Sequence, residues 1–321
     1  RRRPDELLQI ASVQTIAKRD FWPQVDVLVV DEAHTTYKAW TEFAKETNAT
    51  VIGLSATPFT TGLGKIFTNL VNATTMHDLT QNGVLTPMRI FSCHRPDMTG
   101  AETKGGEWTE KAAEERGMVI IGDVIRDWHK FGDNRKTIVF GATIKHCEEL
   151  CRQFINSGVM AAVFTSETTA KEREALLKEY RKHDGYLKVL ISVEALAKGF
   201  DVPDVLIGVS ARPFSKSFSS HVQQMGRVMR GNPDDPDSKP FALWLDHSGN
   251  YLRFQEEWDA VFAGGVSELD DGAEKAKKEK SKKEKEDSKC PRCEALWQKG
   301  SDTCTHCGFV RESRSKIIEV P

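Results

Sequence analysis

The sequence predicts a doubly wound α/β fold, because short runs rich in Val and Ile alternate with segments of helical spacing. The runs are almost continuously apolar, which is typical of parallel strands covered by helices on both faces. The predicted strands are Val25–Val30, Val51–Leu54, Arg89–Cys93, Thr137–Phe140, Val159–Phe164, Leu187–Ser192, Val205–Ser210 and Phe241–Leu245. The predicted helices are His34–Glu46, Ala142–Asn156, Thr169–His183 and Ser217–Arg230.

Length and composition indicate a globular protein with room for two domains and a small module: 321 residues, 39% hydrophobic and 29% charged. The formal net charge of -2 neither indicates nor excludes a polyanionic partner, since a local groove of donors is enough to bind one. We find no apolar run of about 18 residues and therefore expect no membrane span. No apolar segment follows the basic N-terminus, which argues against a secretory signal.

The alternation of strands and helices is interrupted at 77–87, where Gly83 and Pro87 favour a domain junction. We expect a first unit at 1–85 and a second at 86–265. A segment rich in Lys, Glu and Ser follows, and it cannot form a core, so we interpret 266–289 as a charged linker. A cysteine module at 290–312 and a tail at 313–321 complete the predicted organisation.

Two carboxylates, Asp31 and Glu32, end the first predicted strand. In open α/β sheets, ligands bind at the carboxyl ends of the strands. An Asp there can hold Mg²⁺ through water, and an adjacent Glu can orient and deprotonate the water that attacks a nucleotide. The alternative is a pair of acids that stabilises the N-terminus of the following helix.

The next predicted strand ends in Ser55-Ala56-Thr57-Pro58. This sequence places the hydroxyls of Ser55 and Thr57 at the same edge of the sheet as the two acids. A simple turn would explain the tetrapeptide equally well. Its position one helix after the acidic pair favours a shared site.

In the second unit, a predicted helix carries Gln223, Gly226, Arg227 and Arg230. The two arginines are three residues apart, so on a helix they share a face and suit bidentate contact with phosphate oxygens. Gly226 costs a helix interior about 1 kcal/mol relative to Ala, which indicates a close approach at this point. The alternative is a solvated helix surface.

Taken in chain order, these segments resemble the motifs of superfamily 2 helicases. The resemblance covers about residues 7–255 and implies two RecA-like parallel-sheet lobes, the first incomplete, followed by a small zinc ribbon. Ala11–Thr15 resembles a strand-contacting motif, Asp31-Glu32-Ala33-His34 the DEAH box or Walker B, Ser55–Thr57 the coupling motif, Ile138–Phe140 the start of motif IV, Ser192–Asp201 motif V, and Gln223–Arg230 motif VI.

The resemblance implies ATP and Mg²⁺ as cofactors and assigns a role to each matching residue. Asp31 would hold Mg²⁺, Glu32 would activate water, and Arg227 and Arg230 would contact the γ-phosphate, with Arg230 as the preferred arginine finger. Nucleotide binding and coupling would involve His34, Ser55, Thr57, Gly199, Asp201 and Gln223. Contacts with the nucleic-acid backbone would involve Gln14, Thr15, Thr143 and Ser192.

Three further segments resemble the RadD-like branch of bacterial and phage DNA-repair helicases: Gly199–Pro203, Ala211–Pro213 and Asp246–Asn250. The terminal cysteine module fits the same branch. The resemblance implies DNA as the partner and the cytoplasm of a bacterial or phage-infected cell as the location. The sequence leaves open DNA versus RNA, strand polarity, unwinding versus translocation, and the pathway served.

A phosphate-binding loop of the form G-x-x-x-x-G-K-S/T does not occur in the sequence. Gly62–Ile66 lacks the spacing and the hydroxyl, and it follows the Walker B motif instead of preceding it. We expect that the first half of lobe one is absent here, that the isolated chain is inactive, and that lobe one exposes apolar surface. Alternatively, a separate chain supplies the loop, or the protein is a non-hydrolysing adaptor for nucleic acid or protein.

Four of the seven cysteines form two Cys-x-x-Cys pairs, Cys290 with Cys293 and Cys304 with Cys307. Such pairs can place four thiolates tetrahedrally around a structural Zn²⁺. A redox dithiol would require a thioredoxin-like setting, which the sequence lacks. Nearby basic and aromatic residues suit single-stranded nucleic acid or a protein partner; they are Lys289, Arg292, Trp297, Lys299, Phe309, Arg311 and Arg314.

Overall fold

The computed structural model describes residues 6–19, 22–193, 202–232, 235, 238–272, 288–297 and 301–311. The chain divides into two compact units, Arg1–Thr75 with Gly264–Lys280 and Met76–Ala263 with Ser281–Pro321. The first boundary therefore falls ten residues before the junction predicted at 85. Among the described residues, none of the helices combines the length and apolarity needed to cross a bilayer.

The first unit contains two parallel strands and a small apolar core. Its elements are α1 (Val13–Arg19), β1 (Val27–Asp31), α2 (Lys38–Glu46), β2 (Thr50–Leu54) and a 3₁₀ turn (Leu63–Lys65). Buried Val30, Ala33 and Trp40 form the centre of the core. The backbone N–H of Gly64 donates to the carbonyl of Asp270 at 2.8 Å, so the described start of the predicted linker packs on this unit.

Among the described residues, one face of the β1–β2 sheet is bare, in that its apolar side chains are largely exposed. Successive side chains of a strand point to opposite faces, and the register pairs Val29 with Ile52 and Asp31 with Leu54. The exposed fractions of Val27, Val29, Ile52 and Leu54 are 51%, 54%, 44% and 51%. This face matches the apolar exposure expected for the first lobe.

The second unit is built on a six-stranded sheet with the order β3-β10-β9-β6-β8-β7, in which all pairs are parallel. Its strands are β3 (Met88–Ser92), β6 (Thr137–Phe140), β7 (Ala161–Val163), β8 (Val189–Ser192), β9 (Ile207–Ser210) and β10 (Ala242–Asp246). The helices are α3 (Met76–Gln81), α4 (Glu110–Met118), α5 (Ile121–Phe131), α6 (Ile144–Asn156), α7 (Ala170–Tyr180), α8 (Phe218–Met229), α9 (Asn250–Arg253) and α10 (Gln255–Gly264). The predicted α/β class with a parallel sheet is confirmed.

The core of the second unit surrounds the central strands. Every residue of β6, β8, β9 and β10 is buried, as expected for strands covered on both faces. The strand prediction succeeded here because burial on two faces requires continuous apolar runs.

α7 begins with a capping box in which the side chains of Thr169 and Glu172 satisfy each other's backbone N–H groups.

The second unit contains elements that we did not predict, and α8 is shorter than predicted. A short hairpin, β4 (Thr103–Lys104) with β5 (Glu107–Trp108), precedes α4 and α5 in a stretch to which we assigned no element. α8 ends at Met229, one residue earlier than predicted. Arg230 has φ -60° and ψ 124° and forms an antiparallel bridge with Leu85.

Candidate nucleotide site and cysteine centre

The structure joins the loops that follow β1 and β2. The backbone N–H of Ala33 donates to the carbonyl of Leu54 at 3.0 Å, and Nδ1 of His34 lies 3.0 Å from Oγ of Ser55. Ser55 Oγ also accepts from the backbone N–H of Thr57 at 3.0 Å. Oε2 of Glu32 lies 3.3 Å from the same His34 nitrogen. The four polar residues Glu32, His34, Ser55 and Thr57 therefore form one connected group.

Glu32 has an unusual backbone for a residue other than Gly, with φ 53° in the left-handed region. The preceding carboxylate helps to hold it there, because Oδ1 of Asp31 accepts from the N–H of Glu32 at 2.9 Å. Asp31 is exposed and Glu32 is half-buried. Such strain persists only where the surroundings enforce it, and it is common at functional sites. Two acids at an open sheet edge can hold a hydrated cation and orient a water molecule.

The four residues predicted to contact nucleic acid differ in exposure. Gln14 and Thr15 lie on α1 and are exposed. Thr143 is the N-cap of α6: its hydroxyl accepts from the N–H of His146 and donates to Glu114. Ser192 ends β8 and is buried. The predicted nucleotide-side residues Gly199 and Asp201 lie outside the described residues.

The two arginines of motif VI do not share a helix face, contrary to our prediction. Arg227 lies in the last turn of α8, whereas Arg230 follows the helix end in an extended conformation. The backbone bridge with Leu85 draws Arg230 out of the helix. Gln223 is half-buried on α8. A Cβ at Gly226 would meet no atom of the described residues within 4 Å, so the close approach expected there is not made to this part of the chain.

A buried lysine that we did not predict fixes the end of α8. Nζ of Lys239 donates to the carbonyls of Val228 and Arg230 at 2.6 and 2.7 Å, and to that of Pro203 at 3.2 Å. Burial lowers the pKa of Lys239 to about 7. The backbone of Arg230 is thereby held by two partners, Lys239 and Leu85.

A second residue that we did not predict, Glu107, holds the start of α8. Its Oε2 accepts from the backbone N–H groups of Lys216 and Ser217, both at 2.9 Å, and from the Ser217 hydroxyl at 2.8 Å. Burial opposes ionisation, but the hydrogen bonds outweigh it, so the pKa of Glu107 is lowered. A carboxylate at a helix N-terminus is also favoured by the helix dipole. Since 110 residues separate the two groups, no local signal in the sequence reveals this contact.

The four cysteines of the terminal module meet at one point. Sγ of Cys290 lies 3.7 Å from Sγ of Cys307, and Sγ of Cys293 lies 3.6 Å from Sγ of Cys304. All four sulfurs lie within 4.8 Å of one another. A tetrahedral Zn²⁺ with Zn–S bonds of about 2.3 Å would separate its sulfurs by roughly 3.8 Å. The donor set and the spacing therefore fit a tetrathiolate zinc site.

The cysteine module is packed on the edge strand of the second unit. The N–H of Leu296 donates to the carbonyl of Ile90 at 2.8 Å, and Ala295 forms an antiparallel bridge with Phe91. Cys290, Ala295 and Cys304 belong to the same apolar core as the central strands. The module is therefore an integral part of this unit.

The aromatic rings that we considered for nucleic-acid stacking have partners within the module. The Trp297 indole N–H donates to the carbonyl of Ser301, and the Arg311 guanidinium lies 4.5 Å from the centre of the Trp297 ring. Phe309 contacts Trp297 edge to face, with ring centres 6.4 Å apart. Of the basic residues considered with them, Lys299 and Arg314 lie outside the described residues.

Comparison with known proteins gives a consistent result. Residues 120–232 match the helicase conserved C-terminal domain. A 51.5 kDa protein of Lactococcus phage (isolate 7-9) is 25% identical over 307 residues, which cover 91% of this chain and 64% of the phage protein. Nucleolar RNA helicase 2 of Rattus norvegicus is 34% identical over 214 residues, 66% of this chain and 24% of that protein. The chain thus spans less than two thirds of the length of either relative.

A solved structure supports the fold. A fragment assigned to the HsdR subunit of a type I restriction enzyme from Vibrio vulnificus YJ016 superposes with a TM-score of 0.59 at 22% identity. The match covers 77% of this chain and 49% of the fragment. The helicase-domain match and the helicase relative support a relationship to the superfamily 2 helicases, and the solved structure supports the parallel-sheet fold.

Proposed function

We propose that the protein containing this chain is an ATP-dependent DNA helicase or translocase. One observation carries the proposal: the acidic loop after β1 and the Ser-Ala-Thr turn after β2 are joined through His34 and Ser55. Two loops linked in this way can transmit a change at the nucleotide to the rest of the motor. The proposed roles are those that the helicase resemblance implies.

Asp31 would hold Mg²⁺ through water, and Glu32 would orient and deprotonate the attacking water. Bound Mg²⁺ would neutralise part of the phosphate charge. Arg227 and Arg230 would contact the γ-phosphate, where planar guanidinium groups suit phosphate oxygens. His34, Ser55, Thr57 and Gln223, with Gly199 and Asp201 outside the described residues, would couple nucleotide state to the grip on DNA.

Turnover requires a phosphate-binding loop, and residues 1–321 contain none. We therefore propose turnover for a protein in which such a loop acts together with this chain. The bare face formed by Val27, Val29, Ile52 and Leu54 supports this proposal, because it is a surface of the type that further elements of an α/β lobe would cover.

The choice of DNA and of the RadD-like branch rests on Ala211–Pro213, Asp246–Asn250 and the terminal cysteine module, together with Gly199–Pro203, which is only partly described. The proposed contacts with the backbone of the DNA strand are made by Gln14, Thr15, Thr143 and Ser192. The four cysteines are proposed to hold Zn²⁺, with a protein partner as one further role of the module. The phage relative supports a bacterial or phage-infected cell as the setting.

The test is DNA-stimulated ATP hydrolysis by the protein translated from the whole open reading frame. Glu32→Gln should abolish turnover while nucleotide binding is retained, whereas Glu42→Gln, at an exposed acid of α2, should change neither. Unchanged turnover in Glu32→Gln would remove Glu32 from its role. DNA binding by a wild-type protein without any ATP hydrolysis would instead support the adaptor alternative.

A further inference from the structure

We propose that the second unit holds a divalent metal ion, most suitably Zn²⁺, on Cys93, Asp127 and His247, apart from the four-cysteine centre. Cys93 directly follows β3 and His247 directly follows β10. These strands are parallel neighbours whose register pairs Ser92 with Asp246, so the two following residues emerge at the same sheet edge. The N–H of Cys93 donates to the carbonyl of Asp246 at 3.0 Å. Asp127 comes from α5.

The distances fit one ion. One ligand atom from each of the three residues lies within 4.8 Å of the other two. His247 Nε2 is 3.7 Å from Asp127 Oδ2. A tetrahedral Zn²⁺ with Zn–N and Zn–O bonds near 2.1 Å would separate those two atoms by roughly 3.4 Å. A shift of a few tenths of an ångström would bring both atoms to ligand distance.

The tautomer of His247 is the one that a metal ligand needs. Nδ1 lies 2.9 Å from the carbonyl oxygen of His94, which can only accept, so Nδ1 carries the proton. Nε2 is then the acceptor, and it is completely buried without a hydrogen-bond partner among the described residues. Its lone pair lies 3.7 Å from the Asp127 carboxylate, and a cation between these two acceptors would be bound by both. A histidine that binds a metal usually donates its other ring N–H to a carbonyl or carboxylate in this way.

Polar or charged groups lie next to both oxygens of the Asp127 carboxylate. Oδ1 of Asp127 accepts from Nε of Arg126 at 3.0 Å, while Oδ2 faces His247. The nearby Lys289 ammonium donates to the carbonyl of Ser92 at 2.7 Å. Binding would release the Cys93 thiol proton to solvent, so a thiolate and a carboxylate would neutralise the two charges of the ion.

A pocket gives access to the cluster. It has a volume of about 340 Å³, and Cys93 and Asp127 line it together with Lys130, Lys289 and Glu294. Three protein ligands next to an open pocket leave the fourth coordination position for water or a small anion. A closed structural site, such as that of the four cysteines, has no such position.

The test counts metal ions in the full chain. After saturation with Zn²⁺ and gel filtration, elemental analysis should find two ions per wild-type chain, one of them on the four cysteines. Cys93→Ser and Asp127→Asn should each reduce the count by one, and Cys151→Ser, at a half-buried cysteine of α6, should leave it unchanged. Circular dichroism would establish that each variant is folded.

Cobalt substitution provides a second readout. Co²⁺ on four thiolates and Co²⁺ on one thiolate, one imidazole and one carboxylate absorb differently, and only the second spectrum should vanish in Cys93→Ser. One ion per wild-type chain at saturating Zn²⁺ would overturn the proposal. Two ions that persist in both Cys93→Ser and Asp127→Asn would overturn it as well.

Discussion

His34 and Ser55 are joined side chain to side chain, with Nδ1 of His34 3.0 Å from Oγ of Ser55. The two residues follow different strands, and each is tied to a further element of the site. Glu32 lies 3.3 Å from the same His34 nitrogen, and the Thr57 N–H donates to Ser55. A movement of either loop must therefore be accommodated by the other.

The Ser55 hydroxyl should be required for coupling. Ser55→Ala removes the partner of both His34 and the Thr57 N–H, so ATP hydrolysis should lose its stimulation by DNA while nucleotide binding is retained. The loss of these two hydrogen bonds should lower the free energy of unfolding by about 1–3 kcal/mol. The measurement is the ratio of stimulated to basal ATPase rate. Thr41→Ala, which removes a hydroxyl bonded within α2, is the control and should leave the ratio unchanged.

The backbone strain at Glu32 should be measurable. Both Glu32→Gly and Glu32→Ala remove the carboxylate, but only Gly adopts φ 53° without steric cost. The free energy of unfolding should therefore be about 1 kcal/mol higher for Glu32→Gly than for Glu32→Ala. The measurement is the unfolding transition of the first unit in chemical denaturant. Equal stability of the two variants would show that the backbone at this position is relaxed.

The second unit should become less stable at acid pH because Glu107 becomes protonated. Its pKa is lowered in the folded state, so its contribution is present above the ordinary pKa of 4.5 and is lost as the pH falls through the lower folded value. Glu107→Gln should lower the free energy of unfolding at pH 7 by about 1–2 kcal/mol. The difference from wild type should shrink as the pH falls below 4.5.

The control for Glu107 is Glu115→Gln, which affects an exposed acid of α4 paired with Lys111 at 3.9 Å. Surface pairs of this kind contribute little, so its unfolding should follow wild type across the pH range. A Glu107→Gln difference that stays constant down to pH 3 would show that the carboxylate charge has no part in holding α8.

Disruption of the four-cysteine centre should weaken the second unit as a whole. The module extends the edge of the sheet at Ile90 and Phe91 and contributes Cys290 and Cys304 to the common core. Cys307→Ser, at a half-buried ligand, should therefore lower the free energy of unfolding of the whole unit and speed amide exchange at Leu296. Its reference is Cys151→Ser, a half-buried cysteine outside the module. If Cys307→Ser altered only the module, the module would be an independent appendage.

The sequence predicted the elements whose burial dictates their composition. β6, β8 and β9 are buried along their whole length, so their apolar runs identify them directly. Contacts between distant segments leave no such pattern. The β-bridge between Leu85 and Arg230 ends α8 one residue earlier than predicted. The hydrogen bonds between Glu107 and Ser217 join residues that are 110 positions apart in the sequence.

The candidate site shows the same limit. The Asp-Glu and Ser-Ala-Thr segments are visible as motifs, because strand ends in parallel sheets carry the functional groups. Side-chain geometry decides the hydrogen bond between His34 and Ser55 and the three hydrogen bonds from Lys239 to backbone carbonyls. The spacing of these residues along the sequence does not reveal such contacts. Trp297 was considered for ligand stacking because basic residues surround it in the sequence. The contact of its ring with Arg311 is recognisable only in the folded module.

The central proposal is that Arg230 acts as an arginine finger in ATP hydrolysis. The most direct measurement is the kcat of DNA-stimulated ATP hydrolysis for Arg230→Ala, beside Arg181→Ala at an exposed arginine that follows α7. The claim predicts a fall of about 10³-fold or more for Arg230→Ala, in line with the loss of an arginine finger, and a wild-type rate for Arg181→Ala. Equal rates in the two variants would contradict it.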